Sequence, residues 1–174
     1  MSNFEKALNE VLKDEGGYVK DPLDNGGETF KGISRRYFPK WEGWDIVDVN
    51  HFDERLDDLV SKFYKHYFWD TLKLDDVQSP FIAEMLFNVG INQGKKVVTK
   101  KVQRILGVSV DGIIGPKTIS ALNSVDEGKF VFQFILETID LYVHIVNTHT
   151  NQRKFLLGWL NRAMRLYHKY LREG

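Results

Sequence analysis

A glycine-rich segment near the start of the chain carries the side chains best suited to acid–base chemistry. It reads DEGGYVKDPLDNGGETFKGIS over residues 14–34 and places Glu15, Asp21, Asp24 and Thr29 close together in sequence. The Asn-Gly pair that follows Asp24 is a strong turn signal. We therefore expect the loop to fold back, so that the aspartates and the threonine approach Glu15.

The surroundings of these residues predict different roles for the carboxyl groups. Glu15 is followed by two glycines and Tyr18, which leave room for a bulky ligand and let a ring shield the carboxyl group. Such shielding raises the pKa of a carboxyl group and suits it to act as a general acid. Asp24, or failing that Asp21, would stay ionised in a wetter place and activate water or stabilise an oxocarbenium-like transition state. Thr29 would position a water or the substrate.

Two interpretations of this loop remain open on composition alone. Its spacing fits a two-carboxylate glycosidase. Acidic, glycine-rich loops are more often plain solvated turns, because Asp, Asn and Gly all favour turn conformations.

Apolar residues at helical spacing predict the elements that would hold this loop. The sequence indicates a first helix over about 3–14, with the S-x-x-E capping pattern at Ser2 and Glu5. Later helices are predicted at about 52–68, at 80–92 after the start signal Ser79-Pro80, and at 154–172. Between the last two lie three more: one that ends at Gly107, a short one from Gly115-Pro116 to about Asn123, and a long one that begins after the cap residue Asp126. The segment 16–50 reads as loop with a small hairpin, in which 29–33 forms a short strand.

The predicted fold is therefore mainly α, a helical bundle with one small β-hairpin near the acidic loop. We expect an N-terminal catalytic part over residues 1–85 and a helical part over 86–174, packed as one unit. The chain has 174 residues, of which 43% are hydrophobic and 28% charged. That length suffices for one substantial core.

Composition excludes several classes of function. The 24 basic residues balance 24 acidic ones, so there is no basic excess of the kind that nucleic-acid binding requires. The sequence has no cysteine, which excludes disulfides, thiolate zinc sites and cysteine nucleophiles. Its five histidines show no H-E-x-x-H spacing, so we expect neither a metal nor another cofactor.

The segment EGGYVKDPLDNGGETFKGIS resembles the opening motif of the phage-type N-acetylmuramidases, glycoside hydrolase family 108. The family pattern is close to E-G-G-Y-x-x-D-P-x-D-x-G-G-x-T-x-x-G-I, and every element of it is present. The Glu of E-G-G-Y is the catalytic acid in that family, which implies this role for Glu15. The Glu, Asp and Thr order of lysozyme-like enzymes is similar to Glu15, Asp24 and Thr29, and a lysozyme-like fold is implied.

The rest of the chain agrees with this resemblance. FNVGINQG, residues 87–94, resembles the V-N-x-G segment of the family, and FLLGWLNR, residues 155–162, resembles its terminal G-W-x-N-R. VQRILGVSVDGIIGPKTISAL, residues 102–122, is similar to a motif of peptidoglycan-binding helical units. Glu84 departs from the pattern, since relatives tend to carry Asp there.

The resemblance implies hydrolysis of the β-1,4 bond between N-acetylmuramic acid and N-acetylglucosamine in peptidoglycan. Tyr18 would stack on a sugar face, although large aromatic residues are more often buried in the core. Asn88 and Gln93 are polar residues on a largely apolar helix and would contact N-acetyl groups. Glu84 lies one turn before Asn88, where it would either serve the site or tie helices together.

Two other functions remain as alternatives. A lytic transglycosylase would need Glu15 alone, and a wall-binding or secretion-associated protein would need no catalytic acid. In every case peptidoglycan is the expected partner.

The sequence also predicts where the protein works. Residues 1–10 lack the pattern of a secretory signal, and no apolar stretch approaches the ~20 residues of a membrane span. We therefore expect the protein to be made in the cytoplasm and to reach the cell wall in the periplasm through a holin pore or a secretion route. We also expect it to be a monomer.

Overall fold

The computed structural model describes residues 1–14, 17–20 and 27–173. The chain forms two compact units, Met1–Asp75 and Asp76–Gly174. Helices make up most of the described residues and the strands form one small sheet, so the predicted mainly α class is confirmed. The predicted division near residue 85 stays a prediction.

The first helix, α1, spans Asn3–Asp14, as predicted. Its start is closed by the S-x-x-E arrangement, in which the Ser2 amide donates to Glu5 Oε2 (2.6 Å) and the Glu5 amide donates to Ser2 Oγ (3.2 Å). These bonds satisfy donors that the first turn of a helix leaves without partners. The helix buries one apolar side in the first unit, made of Phe4, Ala7, Leu8 and Val11.

Three short strands follow α1. They are β1 (Tyr18–Lys20), β2 (Glu28–Phe30) and β3 (Ile33–Ser34), paired antiparallel in the order β1-β2-β3. Lys31 and Gly32 both have positive φ (44° and 79°), as a tight two-residue hairpin turn requires. The sequence predicted one hairpin with a strand over 29–33. That strand is wrong in its bounds, because the chain turns at Lys31 and Gly32 and forms a second hairpin there. A two-residue strand is too short to show alternation.

The rest of the first unit is helical around buried aromatic residues. Helix α2 spans Trp44–Val47, and α3 spans Arg55–Tyr64 and continues as a π-helical turn over Lys65–Trp69. Trp69 is fully buried and donates from Nε1 to Asp75 Oδ1 (2.7 Å). The predicted helix over 52–68 is thus present, whereas α2 lay within the segment predicted as loop, because one helical turn shows no periodicity.

The second unit consists of helices whose ends match the sequence signals. Ser79 Oγ caps the first of them by accepting from the Ile82 amide (3.1 Å), and Asp126 Oδ1 accepts from the Lys129 amide (2.7 Å) at the start of the longest. The helices are α4 (Pro80–Gln93), α5 (Lys95–Leu106), α6 (Pro116–Ser124), α7 (Glu127–Thr148) and α8 (Leu156–Glu173), the last preceded by a 3₁₀ turn over Thr150–Phe155.

Helix α7 is the central element of the second unit. It contacts α5 and α8, and its buried side includes Phe130, Val131 and Phe134. By length and composition alone α7 could cross a membrane, which differs from the expectation that no stretch would qualify. Its apolar residues are divided between this buried side and an exposed side, and 39% of the apolar stretch is buried.

A buried lysine links three helices of this unit. Lys101 of α5 is only 1% exposed, and its Nζ donates to Gln93 Oε1 of α4 (2.9 Å) and to Thr138 Oγ1 of α7 (2.6 Å). The ammonium group also lies 4.8 Å from the ring centre of Phe134. Burial disfavours the charged form and lowers the pKa of Lys101 from 10.5 to about 8.

This shift predicts that the protein gains stability as the pH rises above 8. The unfolded chain, with a lysine pKa of 10.5, binds more protons between about pH 8 and 10.5 than the folded chain does. From about pH 7.5 to 9.5, we expect this residue to add about 2 kcal/mol to the free energy of unfolding. Burial raises the pKa of Tyr142, whose titration opposes the gain only at higher pH.

Urea unfolding at the two pH values measures this effect. Lys101→Met should remove most of the gain and leave a smaller part due to Lys95, whose pKa burial also lowers. Lys96→Met, at an exposed position of the same helix, should keep the whole gain. An equal pH dependence in the wild type and the Lys101 variant would contradict the shift.

Candidate functional site

Three of the predicted site residues, Glu15, Asp21 and Asp24, lie outside the described residues, so their roles stay predictions. Helix α1 ends directly before Glu15 in sequence, and the described chain resumes at Gly17, directly before β1. The Gly17 carbonyl accepts from the Lys31 amide (3.0 Å). The chain that follows the predicted acid is therefore anchored to the β2–β3 turn.

Tyr18, the aromatic residue of the E-G-G-Y motif, is held by two contacts. Its hydroxyl donates to Glu28 Oε1 (2.8 Å), and its ring stacks on His51 with the centres 4.9 Å apart. Tyr18 pairs directly with Phe30, so Glu28 lies two residues along β2 on the same face of the sheet. The hydrogen bond to Glu28 raises the pKa of Tyr18, because the carboxylate favours the protonated hydroxyl.

Glu28 is the centre of a charged network that the sequence analysis did not identify. Its carboxylate is 13% exposed and binds Arg35, with Nε to Oε2 at 2.7 Å. Arg35 also donates to Asp48, and its guanidinium group lies 4.3 Å from the ring centre of Trp44. The bond to Asp48 raises the pKa of Arg35 and lowers that of Asp48, so both stay charged at neutral pH.

The one signal in the sequence for Glu28 is its place inside the motif, directly before Thr29. The predicted strand began at Thr29, so strand alternation did not include Glu28. Arg35 and Asp48 come from a segment with no periodic pattern, so the sequence offered no means of pairing them with Glu28.

Thr29 lies in the middle of β2 and pairs with Val19 and Ser34. Successive residues of a strand point to opposite faces, so Thr29 lies on the face opposite Tyr18 and Glu28. The structure therefore does not place Thr29 and Tyr18 on one face of the sheet. The role of Thr29 as a water or substrate positioner stays a prediction.

The remaining predicted residues belong to α4 in the second unit. Glu84 forms an ion pair with Lys169 of α8 (2.5 Å), and both side chains are largely buried. This contact matches the alternative in which Glu84 ties helices together. Gln93 binds Lys101 as described above, so its carbonyl oxygen is occupied by a lysine of the same unit.

Asn88 has a buried side-chain oxygen with no hydrogen-bond partner among the described residues. Its backbone carbonyl accepts from Asn92 Nδ2 (2.7 Å), and Asn92 in turn accepts from Arg162 of α8. A buried acceptor without a donor costs about 1–3 kcal/mol. The atom is closed off from solvent, so a water enclosed beside it would satisfy it, and the predicted contact of Asn88 with an N-acetyl group stays a prediction.

The described residues offer no group of three side chains able to hold a metal ion. An open groove of about 630 Å³ in the first unit lies between α1 and α3. None of the predicted site residues that the structure describes lines this groove. The groove residues include Glu5, Leu8, Leu12, Lys31, Asp57 and Val60.

Comparison with known proteins connects this arrangement to a family. The family model for Glycosyl hydrolase 108 matches residues 8–94, and a model described as Predicted Peptidoglycan domain matches residues 98–164. A search of curated proteins found no significant match.

A solved structure, that of Brucella abortus SagA, is similar with a TM-score of 0.78 and 26% sequence identity. The similarity covers 97% of this chain and 93% of that chain. It confirms the predicted lysozyme-like fold. The first family model spans half of the chain and includes the E-G-G-Y motif, Tyr18 and Glu28, while the second supports peptidoglycan as the partner. The chain therefore belongs to the glycosyl hydrolase 108 family and is a peptidoglycan hydrolase.

Proposed function

We propose that this hydrolase is an N-acetylmuramidase with lysozyme activity, which cleaves the β-1,4 bond between N-acetylmuramic acid and N-acetylglucosamine. The observation that carries the proposal is the intact E-G-G-Y motif within the region that the hydrolase family model matches. The anchoring of Gly17 and Tyr18 supports it, because a general acid needs a fixed backbone.

In the proposed mechanism Glu15 protonates the oxygen of the departing sugar. Asp24, or else Asp21, remains ionised and either attacks the anomeric carbon or activates a water molecule. Separations of about 5–5.5 Å between the two carboxyl groups give retention, whereas about 6.5–9.5 Å gives inversion. Thr29 would orient the water or the substrate.

Two described residues, Tyr18 and Asn88, are proposed as sugar contacts. The half-buried ring of Tyr18, held by Glu28 and His51, presents a preset apolar surface, which suits a sugar face. Asn88 of α4 is a separate proposed contact for an N-acetyl group, which requires its side-chain oxygen, closed off in this structure, to turn outward. We further propose that the protein acts in the periplasm after export through a holin pore or a secretion route.

Glu15→Gln should abolish hydrolysis of purified sacculi and leave the fold unchanged, because the amide keeps the shape of the side chain but cannot donate the proton. The release of reducing sugar measures activity, and circular dichroism measures folding. Glu10→Gln, on α1 at an exposed position, is the matched control and should keep full activity. A folded Glu15→Gln protein that clears sacculi at the wild-type rate would remove Glu15 from the mechanism.

Mass spectrometry of the wild-type digest separates the proposal from its rivals. Hydrolysis gives muramic acid with a free reducing end, whereas a transglycosylase gives an anhydro product lighter by one water. The match of residues 98–164 to a peptidoglycan domain favours binding as a second candidate function. Co-sedimentation with sacculi, without any sugar release, would favour that non-catalytic role.

Glu28→Gln should slow hydrolysis by about ten- to a hundredfold, because small displacements of positioning groups have effects of this size. The amide loses the charge that binds Arg35 and is a weaker acceptor for the Tyr18 hydroxyl. Tyr18→Phe removes the same hydrogen bond from the other side and should also slow hydrolysis. Glu54→Gln, at an exposed site in the same unit, is the control, and initial rates on soluble glycan fragments give the comparison. Wild-type rates in both test variants would show that this network does not support catalysis.

A further inference from the structure

Two helices of the second unit expose large apolar side chains on one side. On α7 these are Phe132, Leu136 and Val143, and on α8 they are Leu157, Met164 and Leu171. Each has between 42% and 70% of its surface exposed. Single exposed apolar residues are ordinary, but a contiguous set marks an interaction surface.

The pairing of the two helices shows that the six side chains form one surface. Phe132 contacts Tyr167 with the ring centres 6.2 Å apart, and Tyr142 contacts Trp159 at 5.2 Å. These contacts fix an antiparallel register, in which Leu136 lies level with Met164. Val143 and Leu157 are level as well. We call this surface, made of the six residues above, the α7–α8 face.

The spacing of the apolar residues is that of a helical bundle. On α8 they fall at positions 157, 160, 164, 167 and 171, and on α7 at 132, 136, 139 and 143. Alternating steps of three and four residues place such side chains along a seam where helices pack against one another. Both helices therefore carry a second seam, in addition to the sides buried in the core of the unit.

The two outer edges of the α7–α8 face carry opposite charge. Beyond the apolar residues of α7 lie Glu137, which also binds Arg104 (3.2 Å), and the exposed Asp140. Beyond those of α8 lie Arg165 and Arg172, both exposed. An acidic edge and a basic edge on either side of one apolar seam make the face complementary to itself.

We propose that the α7–α8 face binds a second copy of this chain, so that two helix pairs form an antiparallel four-helix bundle. A two-fold axis parallel to the helices sets α7 against the partner's α8, and the acidic edge of each copy then faces the basic edge of the other. The interface is isologous, as in most homodimers. A dimer differs from the monomer expected from the sequence.

The chemistry of the edges favours a second copy over a lipid surface. Helices that lie on membranes carry mainly Lys and Arg on the polar side, which attract anionic lipids. Here the polar side of α7 presents carboxylates next to the apolar seam. Six side chains that are about half exposed leave several hundred Å² of apolar area, close to the lower end of specific interfaces. The dimer is therefore expected to be weak and concentration-dependent.

Sedimentation equilibrium of the full chain tests the proposal, at protein concentrations from about 1 to 200 μM in low salt. We expect the mean mass to rise from that of a monomer toward that of a dimer. Leu157→Glu and Met164→Glu should each keep the protein monomeric over this range, because they place charge in the seam. Ile113, which is about as exposed (68%) as Leu157 (70%), lies outside the face, and Ile113→Glu should dimerise like the wild type.

Cysteine cross-linking tests the geometry, since the chain contains no native cysteine. Leu136→Cys and Met164→Cys proteins should form disulfide-linked dimers when mixed and oxidised, and much less when either is oxidised alone. Equal cross-linking in all three samples would overturn the proposed axis.

Two outcomes would overturn the proposal as a whole. One is a wild-type protein that remains monomeric at the highest concentration. The other is a wild-type protein that forms no dimer but binds vesicles of phosphatidylcholine and phosphatidylglycerol, with Leu157→Glu abolishing that binding. Sugar release from sacculi, measured in parallel, separates these results from any failure of the proposed catalytic function.

Discussion

The hydrogen bond from Tyr18 to Glu28 is the contact on which the geometry of the candidate site depends. The E-G-G-Y motif joins α1 to a sheet whose strands have only two or three residues, and so short a ladder is marginal by itself. Glu28 strengthens it by binding the first residue of β1 and, through Arg35, the segment that leads to α2. These side-chain contacts thus add to the strand pairing and to the Gly17–Lys31 backbone bond in holding Gly17 and Tyr18 in place.

This charged network positions the site residues more than it stabilises the folded chain. A largely buried carboxylate loses hydration, and its ion pair with Arg35 returns only part of that free energy. Asp48 and the face of Trp44 keep Arg35 in one orientation, so the network has little freedom to rearrange. A buried ion pair held on several sides fixes one geometry, and a glycosidase needs fixed geometry where it transfers a proton.

Local signals predicted most of the fold, and contacts between distant residues account for what they missed. The starts of α1, α4 and α7 were predictable because each N-terminal cap involves residues three positions apart. Helix α2 and strand β3 were not, because they are too short for periodicity to appear. The site shows the same limit: the motif gave Tyr18 and Thr29, whereas the partners of Glu28 come from a loop whose pairing only the folded chain reveals.

Helix α4 shows why the two family matches do not correspond to two separable modules. The hydrolase model extends to residue 94 and so includes α4, yet α4 packs within the second unit. Its Glu84 binds Lys169, and its Gln93 binds Lys101, both of which lie beyond the hydrolase match. A chain cut after residue 94 would leave these polar groups without their partners and would expose the apolar side of α4. The hydrolase sequence therefore depends for its last helix on the segment that resembles a peptidoglycan-binding domain.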